Sequence, residues 1–116
     1  MSAITITPSP NRVTVRLGGT IIAETDAALS LVEGRSPPVL YIPRSDARWE
    51  HFTKTATRTS CPFKGEASYY AVSVNGRTKP DVVWSYEDPI PAVAAIKDHL
   101  AFYPSRVDGI EEVARG

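Results

Sequence analysis

In Thr59-Ser60-Cys61-Pro62-Phe63-Lys64-Gly65, the protein's one thiol stands three residues before an ammonium and four before a glycine. A thiolate is a nucleophile and a redox centre, and a neighbouring cation lowers its pKa. Cys61 is therefore a candidate catalytic residue, with Lys64 or Arg44 as the activating charge. The competing reading is a small buried hydrophobe that supports the loop, because free cysteines are commonly buried. Lys64 and Arg44, with Arg58, can also form an anion-binding corner for a carboxylate or phosphate. Otherwise each pairs with a surface acid such as Glu66 or Asp46, which adds little stability. Asp46, in Arg44-Ser45-Asp46, is either a general base, an orienter of Lys64, or a turn residue accepting backbone N–H bonds. Tyr69, Tyr70, Trp84 and Tyr86 come from neighbouring strand-like runs. They either fill the core or wall an apolar pocket of the kind that holds small molecules. The ligand-binding candidates are thus Arg44, Lys64, Tyr69, Trp84 and Tyr86, and the catalytic candidates Cys61 and Asp46.

Composition narrows the chemistry. A lone cysteine excludes an internal disulfide framework and any zinc site built on several thiolates. His51 and His99 belong to no metal-binding spacing, so no metal and no cofactor is expected. Thirteen basic residues balance thirteen acidic ones, which leaves no overall electrostatic footprint for duplex nucleic acid or a membrane surface. Stacked aromatics also serve single-stranded nucleic acid, but there they require a basic groove. No run approaches the roughly 18 apolar residues of a membrane-spanning helix. The N-terminus lacks a signal peptide's basic start and apolar core, and a cytoplasmic location is expected. At 116 residues the chain is expected to be one domain, 1–116.

The elements that must position these residues read mostly as strands. Ile4 and Ile6 alternate with threonines until Pro8 and Pro10. Val13, Val15 and Leu17 alternate with polar residues and lead into Gly18-Gly19, a hairpin turn before Thr20–Glu24. Ala27–Val32 fits helix or strand. Glu33-Gly34-Arg35-Ser36-Pro37-Pro38 is a breaker, and Val39–Ile42 a buried strand. Asp46 is placed to cap a helical turn over Ala47–Phe52. Pro62 disfavours the helical basin for Cys61, so the thiol is expected on extended backbone. Gly65 can take a positive φ or admit a close backbone approach. Tyr69–Val74, with Tyr70, Val72 and Val74 on one face, and Val82–Tyr86 flank Asn75-Gly76, a strong hairpin signal. Pro80 cannot donate to a ladder, so either the pairing starts after it or it sits at an edge or a bulge, and the register there is left open. Asp88 as N-cap, Pro89 at the first helical position and the spacing of Ile90, Val93, Ile96 and Leu100 predict a helix. Ala101–Tyr103 and Val107–Val113 are expected as closing strands. The fold class is mainly β: one compact domain of rolled antiparallel sheet or small barrel, with one short helix near the C-terminus.

Four blocks occur in a characteristic order: Tyr41-Ile42-Pro43-Arg44-Ser45-Asp46, Cys61-Pro62-Phe63-Lys64-Gly65-Glu66-Ala67-Ser68-Tyr69-Tyr70, Trp84-Ser85-Tyr86-Glu87-Asp88-Pro89, and Ile96 through Ala101-Phe102-Tyr103. In this the chain resembles the family catalogued as domain of unknown function 427, over about Arg12 to about Val113. The resemblance implies a compact, mostly β domain, β-tent-like, whose motif residues line a shared pocket. It also brings a nucleotidyltransferase-like label. Nucleotidyl transfer needs acidic residues that hold magnesium against a triphosphate. The chain has neither a Gly-Ser with a paired Asp-x-Asp nor a Gly-rich phosphate loop, so the label is not taken as an activity.

The leading functional reading is a pocket for a small, anionic molecule around the Cys-Pro-Phe-Lys-Gly loop. The alternatives are an enzyme that uses Cys61 as thiolate nucleophile or redox centre, and a non-catalytic protein-interaction module. The last expects an apolar patch away from the loop and no concavity beside it.

Overall fold

Alternation of β-branched and polar residues builds short strands throughout the computed structural model, which describes residues 3–115. In chain order these are β1 (Ile4–Pro8), β2 (Asn11–Leu17), β3 (Thr20–Thr25), β4 (Leu29–Glu33) and β5 (Val39–Tyr41). They continue as β6 (Phe52–Cys61), β7 (Gly65–Val74), β8 (Arg77–Ser85), β9 (Leu100–Phe102) and β10 (Gly109–Ala114). Three antiparallel sheets result, in the orders β1-β4-β5, β10-β2-β3 and β6-β7-β8-β9. The sheets roll against one another without closing a barrel. Ile42 and Leu100 exchange backbone hydrogen bonds of 2.8 and 2.7 Å, stitching the first sheet to the third. A bridge between Ala23 and Ala47, with Arg48 N donating to Ile22 O at 2.8 Å, ties in the second.

Both hairpin signals form as read. Asn75-Gly76 turns β7 into β8 with φ of 55° and 75°, the double positive φ that a tight two-residue turn demands. Ala27–Val32 resolves to strand, because Leu29–Glu33 pairs with β1 on one side and β5 on the other. Pro80 is accommodated by a bulge. Tyr70 faces Val83 and Val72 faces Lys79, so Pro80, Asp81 and Val82 oppose Ala71 alone. Asp81 takes φ 49° there, and its two carboxylate oxygens each accept a 2.7 Å bond, from Thr55 and Thr57. Those threonines lie in a matching irregularity of β6 between Lys54 and Arg58.

The helix expected from Asp88 onward shrinks to a 3-10 segment over Pro91–Ile96, and Leu100 belongs to β9. Ile90 rather than Asp88 precedes the first turn, and Val93 at φ −122°, ψ 28° interrupts it. Pro89 and Pro91 remove two N–H donors, and the segment is too short for an α-helix to repay nucleation. Val93 and Ile96 are buried three residues apart, a spacing that a 3-10 turn satisfies as well. The turn expected over Ala47–Phe52 shortens to a 3-10 piece at Trp49–His51, preceded by another at Arg44–Asp46. Asp46 lies inside the earlier piece rather than capping the later one, and neither has a side-chain cap.

Side-chain parity on β7 and β8 divides the interior in two. Tyr70, Val72, Val74 and Val83 join Val13, Val15 and Ile22 in one apolar cluster. Ala67, Tyr69 and Tyr86 join Leu31, Tyr41 and Ile96 in the other, with Cys61 and Trp84 packed against it. Each fully buried valine or isoleucine of these clusters contributes roughly 1.5–3 kcal/mol.

Candidate functional site

Lys64 occupies the tight turn between β6 and β7, where its own N–H donates to Cys61 O at 3.2 Å. Gly65 follows with φ 116°, and a Cβ there would lie 3.4 Å from the carbonyl oxygen of Asp88. Ile90 N donates to Lys64 O at 2.9 Å, so the Glu87–Ile90 stretch lies directly on the turn. Both uses foreseen for Gly65, a positive φ and a close backbone approach, are realised together.

That clamp aims the Lys64 side chain inward. Its Nζ donates to Glu33 Oε1 at 2.8 Å, and only 12% of the lysine side chain is exposed. Burial alone lowers an ammonium's pKa. Here the hydrogen bond to Glu33 and the nearby Cys61, Glu33 and Tyr41 outweigh it, and the Lys64 pKa is raised. Lys64 is thus a cation at neutral pH, not an amine nucleophile.

Lys64 lines a cavity of about 260 Å³ together with Glu33, Tyr41, Tyr69, Trp84, Tyr86 and Tyr103. The aromatic walls are ordered by polar tips. Trp84 Nε1 donates to Tyr41 Oη at 3.3 Å, the Tyr69 and Tyr103 hydroxyls lie 3.3 Å apart, and Thr59 Oγ1 is 2.9 Å from Tyr69 Oη. The Trp84 and Tyr103 ring centroids are 4.5 Å apart. Tyr86 is 6% exposed, and its hydroxyl has no side-chain partner among the described residues. Burial raises the pKa of Tyr41 and Tyr86, and pushes Tyr103 up to about 12 with help from the Tyr69 hydroxyl. These three phenols keep their protons at neutral pH and can donate hydrogen bonds.

Cys61 ends β6 on extended backbone, half-buried and packed against the cluster that holds Tyr41, Tyr69 and Tyr86. It does not itself line the cavity. Neither imidazole is turned toward it: His51 Nδ1 lies 3.0 Å from Ser73 O and His99 Nδ1 2.9 Å from Lys97 O. No three His, Cys, Asp or Glu side chains among the described residues gather as metal ligands would.

Over residues 5–113 the sequence matches the family model described as Domain of unknown function (DUF427). The chain belongs to the DUF427 family. No curated protein matches it. No helix among the described residues of this DUF427 domain is long and apolar enough to cross a membrane.

The DUF427 fold brings Lys64, Tyr69, Trp84 and Tyr86 together and sends Arg44 elsewhere. Arg44 NH1 donates to Tyr70 Oη at 3.2 Å, and its guanidinium carbon stands 4.2 Å from the Trp49 ring centroid, on the other face of β7. Asp46 orients neither cation; its Oδ2 accepts from Thr25 Oγ1 at 2.6 Å. The expected single corner of Arg44, Arg58 and Lys64 is therefore split: Arg44 and Arg58 bond Tyr70 and Ser68, whereas Lys64 shares the cavity with Tyr69, and neighbouring residues of β7 point to opposite faces. The acid that pairs with Lys64 is Glu33 rather than Glu66. Glu33, Tyr41 and Tyr103 were missed as cavity residues. Tyr41 and Tyr103 stand inside the resembling blocks, which was the available signal. Glu33 sat in a stretch that read only as a breaker.

Proposed function

We propose that this DUF427 domain binds a small, anionic molecule in the cavity beside the Cys-Pro-Phe-Lys-Gly turn. One observation carries the reading: Lys64, Tyr69, Trp84 and Tyr86, drawn from a turn, two strands and the stretch after β8, line one concavity with an unpaired phenol. Lys64 supplies the charge and shares it with Glu33 when ligand is present. Tyr86 and Tyr41 have protons to donate, and Trp84 with Tyr103 presents faces on which a planar group can stack. At about 260 Å³ the cavity falls just below the range of roughly 300–1,000 Å³ usual for drug-sized ligands. The ligand is accordingly small, such as a planar carboxylate.

A panel of small carboxylates, benzoate among them, screened by thermal shift against wild type, Lys64→Met and Tyr86→Phe tests this. At least one compound is expected to stabilise wild type and to lose its effect in Lys64→Met. Hits that shift all three proteins equally, or no hits at all, would overturn the assignment.

A further inference from the structure

The cavity around Lys64 makes no use of the cations on the opposite face of β7. There, three of them converge on one carboxylate. Lys54 Nζ donates to Glu87 Oε1 at 2.8 Å, and Arg44 NH1 stands 3.9 Å from Glu87 Oε2. Arg58 NH1 donates to Ser68 Oγ at 2.5 Å, and Ser68 Oγ in turn donates to Glu87 Oε1 at 2.9 Å. Three positive charges around one negative leave a surplus of two.

Glu87 cannot absorb that surplus. Its oxygens already accept from Lys54, Ser68 and Tyr70, the last at 2.8 Å. A guanidinium has five N–H donors in a planar fork. Among the described residues Arg44 and Arg58 each use one in a side-chain hydrogen bond. The guanidinium of Arg44 lies over the Trp49 ring, which covers one of its faces, and 41% of the side chain remains exposed. Arg58 is anchored on a serine that is 3% exposed. Anchoring of this kind separates the cluster from a freely solvated row of surface cations, because less side-chain entropy remains to be lost on binding.

We infer that Arg44, Lys54 and Arg58 form a second binding site, distinct from the Lys64 cavity, for a small phosphate monoester. A phosphate dianion matches a surplus of two charges converging about a single carboxylate, and its oxygens suit bidentate guanidinium contacts. A dicarboxylate carries the same charge on two separated groups and fits a convergent cluster less well.

Inorganic phosphate, phenyl phosphate and succinate, each titrated into the full chain at constant ionic strength, test the site through arginine Nε–H resonances and Trp49 fluorescence. Saturable binding of both phosphates is expected, with succinate weaker. Arg58→Gln and Arg44→Gln should each weaken phosphate binding by about tenfold, equivalent to about 1.4 kcal/mol, and Lys64→Met should leave it unchanged. Arg58 is exposed, so its variant reports on binding even if Arg44→Gln proves unstable. Non-saturating responses that are equal for all three anions would overturn the proposal, as would an Arg58→Gln protein that binds like wild type. Phosphate binding abolished by Lys64→Met would move the anion to the cavity and would equally refute a second site.

Discussion

Tyr69 and Tyr70 are neighbours in β7 whose hydroxyls end in different chemical environments: Tyr69 meets Thr59 and Tyr103, whereas Tyr70 bridges Arg44 and Glu87. The peptide between them separates the tyrosine-lined cavity from the cation cluster. Substitutions on one face can therefore be made with little disturbance of the other.

Gly65→Ala is expected to destabilise the protein by about 1–3 kcal/mol, because φ 116° is strained for any residue with a Cβ. The added methyl would meet the Asp88 carbonyl oxygen at 3.4 Å, an ordinary contact, so the cost comes from the backbone angle. Gly19→Ala, at φ 77° with open space around it, serves as the control and should cost less. Urea denaturation of the two variants checks the order; equal losses would remove the clamp on the lysine turn.

Glu87 sets an acid limit to stability. Burial works against its charge, but bonds from Lys54, Tyr70 and Ser68 hold its pKa at about 2, against an ordinary 4.5. A depressed folded pKa stabilises the native state above pH 4.5, and that contribution disappears as pH falls toward 2. The full shift corresponds to about 3 kcal/mol, which solvent screening of a partly exposed group reduces to about 1–2 kcal/mol. Stability measured from pH 6 to pH 2 should fall less steeply in Glu87→Gln than in wild type; parallel curves would contradict the assignment.

Three phenols should titrate late. Tyr103 is pushed up to about 12, and Tyr41 and Tyr86 also lie above the usual 10, all chiefly through burial. Because the neutral phenol is the form favoured by folding, this stabilisation is present below pH 10 and is lost as pH rises through the folded values. Phenolate absorbance should rise at higher pH in the native protein than in denaturant. Tyr86→Phe should narrow that gap, and coincident native and unfolded titrations would exclude it.

Asp81 clasps the facing irregularities of β6 and β8. Asp81→Ala removes the bonds to Thr55 and Thr57 and places a Cβ-bearing apolar residue at φ 49°, a conformation asparagine tolerates better. A loss of about 1–2 kcal/mol is expected for alanine and a smaller one for Asp81→Asn. Equilibrium unfolding distinguishes them, and an alanine variant as stable as wild type would show the clasp to be idle.

Local chemistry alone determined much of this protein. Gly18-Gly19 and Asn75-Gly76 had to be hairpin turns, since few residues accept their φ angles, and period-two alternation marked β2 and β7 as strands. Pro80 announced a break in the ladder because it has no N–H to give, but whether as a late start, an edge or a bulge was settled by the register of β7 and β8. Pro62 and Gly65 announced a constrained turn around Cys61 and Lys64. Tertiary structure decided what no local pattern could carry. Lys64 finds Glu33 across 31 positions of sequence, a pairing set by how β4 sits in its own sheet and by how that sheet packs on the third. Arg44 leaves Lys64 for Tyr70 because side-chain parity, strand register and sheet rolling together choose a face. The apolar spacing after Asp88 was met by a 3-10 turn and a strand, because burying Val93, Ile96 and Leu100 does not require an α-helix. Residue types named the groups able to do chemistry, and the packing of three sheets chose which of them share a cavity.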